Sequence, residues 1–256
     1  MLQMSGDLPE GALLGHEADR LAHRLRPSGA VWFSARGEKL LLEGDGADAP
    51  VAEWHSMTSM HTALPSRPNN GNGRFAADRT FPAMQFTQKV NCGYAVEAVT
   101  ADARSFSMAL IYASPSRDGR TLASLSARAG GNLFFLNEAD GILTAKDRGG
   151  AISIECEAPA HENARELIMV SLEPSRLRLR VGRGPVIEAR GDVSDMNGMG
   201  ELFIGCRNHR AGLQKTLGDL LISDVIFWPS GSVLAAPGMA ETEQSAAISE
   251  YWRWTR

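Results

Sequence analysis

Cysteine is scarce in this chain. Cys92, Cys156 and Cys206 stand far apart and form no Cys-x-x-Cys pair. That excludes a disulfide framework and a thiolate zinc site, and leaves single buried thiols as the expectation. Long apolar runs are also missing. No stretch approaches the roughly 20 consecutive apolar residues that a membrane-spanning helix needs, so no membrane contact is expected. The segment Met1 to Gly15 lacks a basic stretch followed by an apolar core, so no secretory signal is expected. Positive charge is not in excess: 26 Lys and Arg face 30 Asp and Glu, for a net charge of −4. That argues against a polycation that coats nucleic acid, and no nucleic-acid partner is expected.

Catalytic and metal motifs are thin. The histidines, His16, His23, His55, His61, His161 and His209, show no His-Glu-x-x-His spacing. The chain has no Gly-x-Ser-x-Gly elbow and no phosphate-binding Gly-Lys-Ser/Thr loop.

What is present is an ordinary globular composition, with 43% hydrophobic and 22% charged residues over 256 positions. Residues 1–28 contain one helical stripe. Leu14, Ala18, Leu21 and Leu25 recur at helical spacing, and Pro27-Ser28-Gly29 stops the helix. The stripe suits packing on the main domain or docking to another protein. From residue 29 to 237 the pattern is one of short apolar runs separated by Gly, Asp, Asn and Pro. Residues 62 to 74 are a loop by composition. Leu167 to Leu172 is continuously apolar, which fits a buried strand. Leu177, Leu179 and Val181 alternate with Arg176, Arg178 and Arg180, which fits a half-buried strand with an arginine face. Ten or more such strands argue for an all-β fold, an antiparallel β-sandwich of the jelly-roll kind, with short helices at both ends. The C-terminal helix falls in 238–256, where Ile248, Tyr251 and Trp252 share a face.

Five pieces in order carry a family resemblance. They are Trp32-Phe33-Ser34-Ala35, then Val51-Ala52-Glu53-Trp54, then Pro82 to Phe86. Ile204-Gly205-Cys206-Arg207 with Gly218 to Trp228 follows, and Ile248-Ser249-Glu250-Tyr251-Trp252 closes the series. With these pieces the chain resembles the concanavalin A-like lectin/glucanase jelly roll in its laminin-G-like form. The resemblance supports the sandwich. It leaves function open among lectins, hydrolases, lyases and adhesion modules.

A glycosidase needs two carboxyl groups flanking the scissile bond. The glucanases of this fold use Glu-x-Asp-x-x-Glu on one strand. Here the nearest run, Glu138-Ala139-Asp140-Gly141-Ile142-Leu143, lacks the third carboxylate, and Asp140-Gly141 reads as a turn. Glu155 and Glu157 share a strand face but stand at a strand end. The expectation is therefore that the chain is not an enzyme and has no catalytic residues.

Sugar binding is the favoured chemistry. Two places supply donors for acidic sugars: the loop Arg207-Asn208-His209-Arg210, and the arginine face Arg176, Arg178 and Arg180. No organic cofactor is expected. The resemblance allows calcium, but Asn137, Asp140 and Asp219 have no diagnostic spacing, so the metal stays open. Phage fibres and phage-like spikes often end in modules similar to this one. The resemblance, with the missing export signal, implies a cytoplasmically made module displayed on a virion or phage-like particle. There it would form a homo-oligomer, seat on a particle or base protein through residues 1–28, and hold host cell-surface polysaccharide such as capsule. The alternatives are a polysaccharide-degrading enzyme with an unrecognised carboxylate site and a structural particle module.

Overall fold

The computed structural model describes residues 17–45, 49–76, 82–159, 165–209 and 214–255. Two antiparallel sheets face each other. One has eight strands, ordered from Ile187–Arg190 through Arg176–Val181, Glu166–Glu173, Phe106–Ala113, Leu220–Trp228 and Ala83–Phe86 to Arg74–Ala76, with Val31–Ser34 also pairing with Leu220–Trp228. The other has nine. Its order is Ser153–Glu157, Ile142–Asp147, Leu133–Ala139, Arg120–Ala127, Gly200–Ile204, Tyr94–Thr100, Thr62–Pro65, Val51–His55 and Leu40–Leu42.

Three central strands of the eight-stranded sheet explain the apolar runs. Met108, Leu110, Ile168, Val170, Val225 and Phe227 point into the sandwich. Their alternate neighbours Ala109, Ile111, Leu167, Met169, Ile226 and Trp228 form a second cluster on the outer face. A strand buried on both faces loses the polar alternation of a half-exposed one. Each large side chain so buried contributes roughly 1.5–3 kcal/mol.

Two helices cover that outer face. The helix Glu17–Leu25 buries Ala18, Leu21, Ala22 and Leu25 in the second cluster. Leu14 lies outside the described residues. The stripe expected to offer a docking seam is therefore spent within the chain. The helix Glu243–Thr255 buries Ile248, Tyr251 and Trp252 in the same cluster. Thr242 caps it, its Oγ1 accepting from the Ser245 N–H at 3.2 Å. Trp254 remains 40% exposed.

The loop expected over 62–74 contains the strand Thr62–Pro65 and the first residue of Arg74–Ala76. Both are too short to show a period, and pairing with neighbouring strands makes them. Asp140-Gly141 is the two-residue turn of a hairpin, both residues at positive φ.

Candidate functional site

Among the described residues, both α-helices lie on the eight-stranded sheet, and the outer face of the nine-stranded sheet carries none. Register places Lys146, Phe135, Ser124, Phe203 and Ala95 opposite one another in a single row across five strands of that face. Phe203 is closed over by Cys206 and Leu217, and the Phe135 end of the row is where charge collects.

Gly205 delivers that charge. It ends the strand Gly200–Ile204 at φ +70°, and a Cβ there would stand 2.5 Å from the Phe86 ring. Glycine alone meets both conditions. The turn swings Arg207 over Phe135, its Cζ 4.1 Å from the ring centroid. The Arg207 Nε–H donates to Thr121 Oγ1 at 3.2 Å, and Ser124 Oγ donates to the Arg207 carbonyl at 2.6 Å. Lys146 Nζ reaches the same ring at 5.7 Å.

Arg207 has no carboxylate partner among the described residues. Burial pulls its pKa below the ordinary guanidinium value, which measures the cost of holding this charge partly out of water. The guanidinium sits over the Phe135 ring, and among the described residues only its Nε–H is given a hydrogen-bond acceptor. A half-buried guanidinium with no carboxylate partner among the described residues, on a sheet face that carries no described helix, suits a carboxylate.

The neighbouring loop residues have different roles. His209 Nδ1 accepts from the Arg67 N–H at 2.9 Å, which leaves the ring proton on Nε2, 3.0 Å from Glu201 Oε1. Its ring meets Phe203 edge-on. His209 thus braces the loop. Asn208 is half-buried beside it. Arg210 lies outside the described residues.

The arginine stripe needs correction. Alternation holds, since Leu177 and Leu179 enter the core and the arginines take the other face. That face is covered by later chain. Arg178 is 6% exposed, and pairs with Glu188 at 2.8 Å and Glu173 at 3.1 Å while donating to the Leu234 carbonyl. Arg180 is 9% exposed and bonds Glu241 and Ser249. Only Arg176 is exposed, opposite Arg190. The three do not form a track for a polymer.

The carboxylates considered for catalysis do not converge. Glu138 is buried, with Tyr112 donating to it, while Asp140 sits in the hairpin turn. Glu155 and Glu157 project from the edge strand Ser153–Glu157. The calcium candidates do not meet either. Asn137 and Asp140 belong to a hairpin of the nine-stranded sheet, whereas Asp219 accepts from the Gln88 N–H beside the eight-stranded one. Among the described residues no three His, Cys, Asp or Glu side chains are placed to share a metal ion.

Sequence reasoning missed Phe135, Lys146 and Thr121. They lie on three strands and meet only through register, which a linear pattern does not display.

No protein-family model matches the chain, and no curated protein matches it in sequence. Solved structures do match. A Trypanosoma rangeli sialidase in complex with sialic acid aligns with a TM-score of 0.57 at 10% identity, over 89% of this chain and 33% of the sialidase. A GH54 α-L-arabinofuranosidase aligns at 0.54 and 8% identity, over 92% of this chain and 65% of the enzyme. Domain 4 of the GH43 arabinanase AbnA from Geobacillus stearothermophilus, in complex with arabinotriose, aligns at 0.51 and 11% identity, over 77% of this chain and 90% of the domain. The likeness is one of fold. This chain spans about a third of the sialidase it matches.

These neighbours correct the expectation that the chain is not an enzyme. That expectation rested on the missing Glu-x-Asp-x-x-Glu pattern. Sialidase and arabinofuranosidase chains contain this fold, so a missing glucanase pattern does not separate the chain from glycosidases.

Proposed function

We propose that the chain is a carbohydrate-recognition β-sandwich that holds an acidic glycan at Arg207, on the outer face of its nine-stranded sheet. The observation that carries this reading is Arg207, half-buried, stacked on Phe135 and without a carboxylate partner among the described residues. A uronic-acid carboxylate would take the unused guanidinium donors, with Lys146 adding a second positive charge. Ligands named for its fold neighbours, sialic acid and arabinotriose, are sugars, which supports the class of ligand.

We extend the reading to attachment. The ordered laminin-G-like pieces support a module of a phage-like particle that holds host surface polysaccharide. Single sites on a sheet face bind weakly, and many copies on one particle would supply avidity through effective concentration.

The test is binding of the purified chain to encapsulated and capsule-free bacterial cells at low and high salt, with sugar release followed in parallel. Capsule-dependent, salt-weakened binding is expected. Equal binding to both cell types would overturn the attachment reading.

A further inference from the structure

The strand Leu40–Leu42 is one edge of the nine-stranded sheet, and among the described residues it pairs only with Val51–His55. A bare edge offers unpaired N–H and C=O groups to any strand that can lie beside it, and proteins commonly guard such edges with charge. The other edge of this sheet, Ser153–Glu157, carries Glu155 and Glu157. The edge Ile187–Arg190 of the opposite sheet carries Glu188 and Arg190. Leu40, Leu41 and Leu42 have no such guard within the strand.

Two of these leucines are anchored. Leu40 and Leu42 pack against the core of the sandwich, and alternation turns Leu41 outward, where it is 50% exposed. Register extends the apolar surface inward from the edge. Leu41 faces Glu53, and Glu53 stands between Leu41 and Leu64 in one row across three strands. Leu64 is 44% exposed. The edge thus meets solvent with leucine side chains as well as with backbone.

The flanking charges select the occupant. The run reads Lys39-Leu40-Leu41-Leu42-Glu43. Antiparallel pairing with a second copy, about a two-fold axis at Leu41, sets Leu41 opposite itself and Leu40 opposite Leu42. It also sets Lys39 of each copy opposite Glu43 of the other, and opposite charges facing across strands are favourable. Neither residue is in an ion pair among the described residues, and Glu43 accepts only from Asn72 Nδ2, at 3.1 Å. A slip of two residues in either direction sets one of these charges against Leu41 instead, and a slip of one turns every side chain to the other face.

We propose that Leu40–Leu42 is a self-pairing edge that joins two copies of this chain as an antiparallel dimer. Its axis stands perpendicular to the joined sheets, so their outer faces, each with its Arg207, look the same way. The seam is short, and it belongs with the weak contacts that bury less than about 1,200 Å².

The experiment is sedimentation of the full chain over a rising concentration series. It uses no glycan, so its outcome is independent of the reading at Arg207. Wild type is expected to pass from monomer to dimer. Lys39→Glu alone and Glu43→Lys alone each set like charges face to face, and each should weaken dimerisation at least tenfold while keeping the wild-type unfolding midpoint. An equimolar mixture of the two variants should dimerise again, because every facing pair is then opposite in sign. Leu41→Cys should oxidise to a covalent dimer at least tenfold faster than Leu64→Cys, since directly opposed strand residues lie within disulfide reach and only position 41 meets its own copy. A monomer at every concentration would overturn the proposal and leave the edge to a strand from another protein. Dimerisation that ignores both charge reversals, a mixture no stronger than its components, or equal oxidation at the two positions would overturn it as well.

Discussion

The Trp32 indole N–H donates to Asp224 Oδ1 at 2.9 Å across 192 positions of sequence. The Tyr251 hydroxyl donates to the same oxygen at 3.4 Å, and the Trp32 and Tyr251 rings meet edge-on at 5.5 Å. Three separate pieces of the sequence thus close on one buried carboxyl. It ties the first strand, the last strand and the C-terminal helix together.

Removing that carboxyl should loosen all three. Asp224→Ala leaves two buried donors without an acceptor, each costing about 1–3 kcal/mol. A loss of about 2–5 kcal/mol in urea unfolding is expected. Asp224→Asn keeps an acceptor oxygen and should cost less. Equal losses in the two variants would contradict the hydrogen-bond account.

Asp224 also predicts a pH dependence. Burial raises its pKa in the folded chain, and burial raises that of Glu138 likewise. Between the ordinary carboxylate pKa and the raised one, the folded chain holds a proton that the unfolded chain has released. Stability from these groups therefore falls as pH rises through that window. Asp102, Glu188 and Glu241 are lowered, so their contribution runs the other way and is lost toward acid. The difference between wild type and Asp224→Asn isolates the first effect. Unfolding free energies measured from acid to neutral pH should show wild type losing ground to Asp224→Asn as pH rises. A constant difference would count against a raised Asp224.

Arg178 and Arg176 should separate sharply. Arg178→Met leaves Glu188 and Glu173 without their shared partner, and should cost about 3 kcal/mol, toward the lower end for a broken buried pair because Glu173 still reaches water. Arg176→Ser, at an exposed position, should stay within about 0.5 kcal/mol. Chemical unfolding of the two variants checks this. Equal effects would mean the arginine face is not covered as described.

Much of the fold was legible because strand alternation and turn residues are local signals. Leu220 to Trp228 and Leu133 to Leu136 announce themselves by composition, and Asp140-Gly141 by turn chemistry. The ordered pieces around Trp32, Asp224 and Tyr251 were legible as a pattern, and their contact supplies the physical reason for it. The fate of the arginine face was not legible. Nothing near these arginines foretells that Ser232 and Leu234 cross over Arg178 and Glu241 over Arg180, each more than fifty residues later. The candidate site was half legible. Arg207 stood out by type, while its stacking partner Phe135 depends on pairing between strands distant in sequence.

The measurement that bears most directly on the central claim compares wild type with Arg207→Gln for retention on polygalacturonate and on a neutral polysaccharide, at low and high salt. Wild type should be retained on the acidic polymer, lose retention with salt, and ignore the neutral one. Arg207→Gln, shown folded by its unchanged unfolding midpoint, should lose at least tenfold in affinity for the acidic polymer. Undiminished retention of the folded variant, or wild-type binding that disregards ligand charge, would contradict the account.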